Sequence, residues 1–218
     1  MGEGIAHIMS PLSAPWCGWT MLALMICAVL AEFFQPGVIT QAHVSLIART
    51  DRNYKESPMN FLGQTFIYLF RVGTMGMALT LCLYTGENCS FAGFCAVCGI
   101  AVVVLLIKML CNLLLDFTFS ISRRAEMPYE HYANIATIAI TVLYLTLLAL
   151  MRYGNTVAAM WVFWSVSLLF ILMWTYRSWR LFVDSPQAIV NLLIYIGTLE
   201  VFPLAGLYYL SEKTIALL

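Results

Sequence analysis

The chain has 218 residues with 11 basic and 11 acidic side chains, so its formal net charge is zero. Hydrophobic residues make up 62% and charged residues 10%, against about 45–50% and 25% in soluble domains. That much apolar surface exceeds what one water-soluble core can hide, and the neutral balance excludes the basic footprint of a nucleic-acid binder.

A helix needs about 20 apolar residues to cross a bilayer. Six runs qualify, at approximately Trp16–Phe34, Phe61–Tyr84, Phe91–Ser120, Tyr132–Met151, Val157–Tyr176 and Gln187–Leu210. The expected fold is all-α, a polytopic bundle of six transmembrane helices forming one integral-membrane domain over 1–218. Met1–Ala14 carries no Lys or Arg and no small-residue cleavage site follows the first run, so that run reads as a retained span. The third run is longer than a bilayer requires, which predicts tilt or protrusion.

The connections alternate in positive charge. Arg49, Arg52 and Lys55 lie in the first, Arg123 and Arg124 in the third, Arg177 and Arg180 in the fifth, with only Arg152 and Lys213 on the opposite side. The positive-inside rule then puts the odd connections in the cytoplasm and both termini outside. Arg123 and Arg124 are candidate ligands for anionic lipid head groups. In the first connection, Gly37–Ile47 spaces its apolar residues about one helical turn apart, as either a short surface helix or a solvated loop would. Glu126, Glu130 and His131 in the third connection make an incomplete metal set and read as an ordinary helix start around Pro128.

Charges inside the runs carry the sharpest signal. Glu200 lies in Gly197-Thr198-Leu199-Glu200-Val201-Phe202-Pro203, where an acidic group costs roughly 2.5–3.5 kcal/mol unless it finds partners. At about 1.5 Å per residue from the cytoplasmic ends, Arg71, Lys108 and Glu200 reach similar depths, roughly 15, 18 and 20 Å. Lys108, Asn112 and Asp116 repeat every fourth residue and make one polar stripe on the third run. Pro203 lacks an N–H and frees the carbonyl one turn earlier, while Gly197 and Thr198 flank the acid. This layer suits two roles: a salt-bridged clamp that sets helix register, or an ion or proton pathway through Glu200.

Among seven cysteines, Cys89, Cys95 and Cys98 gather at the expected outer end of the second hairpin. A CxxC pair with a resolving thiol suits quinone-linked thiol oxidation. The same stretch places Ala92, Ala96 and Gly99 on a face suited to tight helix packing, with cysteine as one more small residue. His7, His43 and His131 are scattered, and no zinc, phosphate-loop, nucleophile-elbow or calcium-loop motif occurs. No catalytic residue, metal or cofactor is predicted.

The closing Tyr195-Ile196-Gly197-Thr198-Leu199-Glu200-Val201-Phe202-Pro203-Leu204 resembles the C-terminal signature of a Bacteroidota integral-membrane family known as a domain of unknown function, number 4271. Asn60-Phe61-Leu62-Gly63, opening the second run, is similar to that family too, and the spacing of runs agrees from about Glu32 to Tyr209. The resemblance implies a multi-pass protein of a bacterial cytoplasmic (inner) membrane. It makes Thr198, Glu200 and Pro203 part of a family motif and brings no known substrate.

The leading expectation is a non-enzymatic assembly or scaffold subunit, with the lipid bilayer and other membrane subunits or further copies of itself as partners. An ion- or proton-coupled transporter using Glu200 is the first alternative. A membrane thiol oxidoreductase is the second.

Overall fold

The computed structural model describes residues 15–37, 39, 60–83, 90–119, 126–153, 156–182 and 197–217. They form α1 (Pro15–Phe34), α2 (Phe61–Leu83), α3 (Phe91–Phe119), α4 (Glu126–Tyr153), α5 (Thr156–Phe182), a π turn (Gly197–Val201) and α6 (Phe202–Leu217). No strand occurs among the described residues. Helices α1 to α5 are long and apolar enough to cross a membrane. The last apolar run of the sequence is described only from Gly197 onward, and there it is a π turn leading into α6, not one uninterrupted helix.

Several helices overrun the apolar runs that announced them. Helix α4 starts at Glu126 instead of Tyr132, α5 continues past Tyr176 to Phe182, and α6 passes Leu210 to reach Leu217. Hydropathy marks where a helix suits hydrocarbon, whereas the hydrogen-bond ladder continues until something breaks it. Pro128 does not break α4, because it falls in the first turn, where no intrahelical donor is lost. Of the Gly37–Ile47 segment only Gly37 and Ile39 are described, and both lie in a turn.

Helix α2 is the axle of the bundle. It packs against each of the other described helices, and 61% of its apolar stretch is buried against 17–28% in the other four spans. Around it, α4 pairs with α5 and α3 pairs with α6. The outward faces carry large apolar side chains such as Leu22, Ile26, Leu106, Met109, Trp161 and Leu168.

The centrality of α2 follows from where it lacks side chains. A Cβ on Gly63 would lie 2.7 Å from the Cβ of Gln35, one on Gly73 would strike Leu24 Cδ2, and one on Gly76 would strike Cys98 Sγ. Three glycines thus let α1 and α3 approach closer than any side chain permits, the contact that holds helices together where solvent supplies no hydrophobic force. The expectation of tight packing at Ala92, Ala96 and Gly99 is corrected here. Gly99 is exposed and has nothing within 4 Å of its would-be Cβ, so the intimate contact belongs to α2.

Further contacts lock the helices at specific heights. The Tyr144 hydroxyl of α4 donates to the Met21 carbonyl of α1 at 2.9 Å, and its ring meets Phe70 of α2 edge-on at 5.4 Å. Trp16 of α1 packs on Phe91 and Phe94 of α3 at 6.0 and 5.9 Å, closing that end of the bundle.

This packing generates a double-mutant prediction. Gly76→Ala is expected to destabilise by about 1–3 kcal/mol through overpacking against Cys98. Adding Cys98→Ala, which removes the obstructing sulfur, should recover most of that loss. Gly99→Ala should be neutral or stabilising by about 0.5–1 kcal/mol. Denaturant unfolding of the wild type and these three variants in detergent micelles measures all three effects.

Candidate functional site

The inward line of α3 runs through Phe94, Val97, Ala101, Val104 and Lys108, positions three or four residues apart. Its flanks are exposed and apolar at Leu105, Leu106, Ile107, Met109 and Leu110. Lys108 therefore extends along the interior side of a hydrophobic wall. Its Nζ donates to Glu200 Oε2 at 2.6 Å, with the two side chains only 11% and 4% exposed.

The π turn delivers the carboxylate. Pro203 has no N–H to donate one turn back, and its ring disfavours regular α geometry in that turn. The backbone widens over Gly197–Val201, and π turns of this kind recur where a helix must aim a functional side chain. Gly197 and Thr198 are exposed, Pro203 is half-buried, and Glu200 is buried at 5%. The resulting pair fastens α3 to the segment that carries α6.

Arg71, half-buried on α2, is held by α4. Its Nη2 donates to the Ala133 carbonyl at 2.9 Å and to Thr137 Oγ1, and the guanidinium lies over the Tyr68 ring at 5.5 Å. Thr137 in turn donates its hydroxyl proton to Ala133 O at 2.8 Å. A charged donor is thereby bridged to two oxygens of α4, one main-chain and one side-chain. Ala133 and Thr137 lie in the first turns of the apolar stretch of α4, so the long arginine stem carries its head toward that end, as snorkelling side chains do.

A polar clasp that the sequence reading did not assemble joins α1 to α2. Glu32 accepts the N–H groups of Gly37 at 2.8 Å and Ile39 at 2.9 Å, one on each carboxylate oxygen. Gly37 supplies the bend with a φ of 95°, a conformation open to glycine at little cost. Gln64 Nε2 donates to Gln35 Oε1 at 2.9 Å, and Asn60 Nδ2 donates to the Phe34 carbonyl at 3.0 Å. Asn60 Oδ1 also accepts the Leu62 N–H at 3.2 Å, capping α2. The signal was present, since an asparagine directly before an apolar run is an N-cap pattern; the partners on α1 lie too far away in sequence to be read.

The cysteine pair divides between two faces. Cys98 turns inward, its thiol directed at the Val72 carbonyl at 4.0 Å and lodged against Gly76, while Cys95 is exposed; both are free thiols. Cys89, Arg123 and Arg124 lie outside the described residues, and so do the side chains of Asn112 and Asp116, whose backbone belongs to α3. Among the described residues no group of three or more His, Cys, Asp or Glu is placed to hold a metal ion.

A double-mutant cycle tests the α2–α4 tie. Arg71→Met and Thr137→Val should each destabilise, with a coupling of about 1–2 kcal/mol, the range for a hydrogen bond to a charged group. Additive losses in detergent unfolding would show that the two residues act independently.

No curated protein and no solved structure matches the chain. A family model described as Domain of unknown function (DUF4271) matches residues 18–210, a stretch holding the Lys108–Glu200 pair, Arg71 and the Asn60 clasp, and the chain belongs to that family.

Proposed function

We propose that the chain is a six-span protein of a bacterial cytoplasmic membrane, with both termini outside, serving as a non-catalytic assembly or scaffold subunit. The observation that carries this reading is the Lys108–Glu200 ion pair, buried at 2.6 Å between α3 and the turn before α6. Arg71 is likewise engaged by α4. Charges turned toward the chain's own helices set register, and they leave an outer surface that is apolar and available to lipid or to neighbouring subunits. The family resemblance supports a Bacteroidota source and the inner-membrane location. The positive-inside asymmetry of the connections supports the topology.

A second reading, ion- or proton-coupled transport through Glu200, is favoured by the π turn, because interrupted helices build many midplane ion sites. One pair of variants separates the readings. For a clamp, Glu200→Gln leaves the Lys108 ammonium buried without its counter-charge and should cost about 3–5 kcal/mol. A second change, Lys108→Met, should then restore most of the lost stability. For a transporter, Glu200→Gln should abolish flux in proteoliposomes while the thermal midpoint stays where it was. The assembly role itself predicts extraction in mild detergent as a defined oligomer or with stoichiometric partners, and a lone monomer retaining its cellular role would rule it out.

A further inference from the structure

Threonine hydroxyls in this bundle habitually return to the carbonyl four residues earlier on their own helix. Thr80 of α2 does so at 2.8 Å, and Thr137 and Thr141 of α4 do so at 2.8 and 2.7 Å. Thr74 of α2 departs from this pattern. Its side chain is fully buried, and its Oγ1 meets no hydrogen-bond partner among the described residues. A hydroxyl turned away from its own backbone into an apolar interior is costly unless something takes its proton.

The position of Thr74 shows where that hydroxyl is aimed. It lies one turn beyond Phe70, whose ring meets Tyr144 of α4 edge-on at 5.4 Å, so Thr74 faces α4. On α4, Thr137, Thr141 and Tyr144 follow one another at spacings of four and three residues and share one face. The Thr141 proton is committed to the Thr137 carbonyl, and the Tyr144 proton goes to the Met21 carbonyl at 2.9 Å. Each of these two oxygens keeps lone pairs that can accept. The seam between α2 and α4 thus holds one uncommitted donor and two acceptors that do not bond one another directly.

We infer that this seam is a binding site for a single water molecule, which accepts the Thr74 proton and donates to Thr141 Oγ1 and Tyr144 Oη. Those are about three hydrogen bonds, the number that buried waters ordinarily make. The water joins α4 to α2 between the Arg71 tie and the Tyr144 contact. The inference goes beyond the assembly reading and holds whichever role Glu200 plays.

Thermal unfolding of the full chain in detergent compares wild type, Thr74→Val, Thr141→Val and the double variant. Valine keeps the shape of threonine and deletes the hydroxyl. Thr74→Val should melt about 2–4 °C below wild type. Added to Thr141→Val, the same change should cost clearly less, because the two hydroxyls share one bridge and have no direct bond to lose. A Thr74→Val midpoint equal to or above that of wild type overturns the inference, since deleting an unpaired hydroxyl relieves a cost and breaks no bond. Losses that are as large in the Thr141→Val background overturn it as well. The direct check is a structure of the wild-type chain at a resolution that shows ordered water. Density within hydrogen-bond reach of Thr74 Oγ1, Thr141 Oγ1 and Tyr144 Oη is the expected result, and a seam without it sinks the water site whatever the variants do.

Discussion

The bundle depends on how closely α1 and α3 approach α2. In an apolar surround, helices gain nothing from hiding apolar surface from one another, so association rests on dispersion contacts and a few polar ties. Dispersion falls off steeply with separation, and the bare backbone at Gly63, Gly73 and Gly76 brings Gln35, Leu24 and Cys98 into contact that any Cβ would block. Because α2 touches every other described helix, its small-residue faces position the rest. The remaining helices can then keep most of their surface turned outward, as α5 does with only 17% of its span buried.

Onto this frame the polar groups add direction. Packing of smooth apolar helices tolerates sliding and rotation, whereas a hydrogen bond of fixed length does not. The Asn60–Phe34 and Gln64–Gln35 bonds fix α1 against α2, Arg71 fixes α2 against α4, and Lys108–Glu200 fixes α3 against the segment leading to α6. Tyr144 ties α4 back to α1. Each tie joins a different pair of elements, so together they determine heights and rotations that the glycine contacts alone leave open. A buried ion pair adds little net stability over an apolar pair of equal volume, but breaking it is costly. Such pairs therefore discriminate between alternative packings more than they strengthen the chosen one.

Much of this was legible in the residues. The five long helices follow from apolar runs, and Glu200 and Lys108 stood out as charges at similar depth on separate runs, which the bundle brings to 2.6 Å. Arg71 was grouped with them by depth, yet rise per residue gives the height of a Cα and not of a guanidinium. Its long stem reaches Ala133 and Thr137 on another helix. Tight packing was read at Ala92, Ala96 and Gly99, because small residues announce that close approach is possible and cannot say which of several such stripes a neighbour will use. Gly73 and Gly76 carry the same signal on α2, and there the close approach is made. Glu32, Gln35 and Asn60 each had a visible capping or polar character, but their pairings cross a long connection and exist only once the hairpin closes.

The π turn has a consequence for how the end of the chain is phased. Glu200 shares one inward line with Leu207 and Ser211, seven and eleven residues later, all three buried. Regular α spacing would put Gly197, three residues earlier, on the same line, yet Gly197 is exposed. The start of the turn is therefore out of rotational phase with α6, since one extra residue per turn offsets the faces by about 100°. Within the widened turn, Gly197 and Thr198 thus face outward while the carboxylate keeps its bearing toward α3.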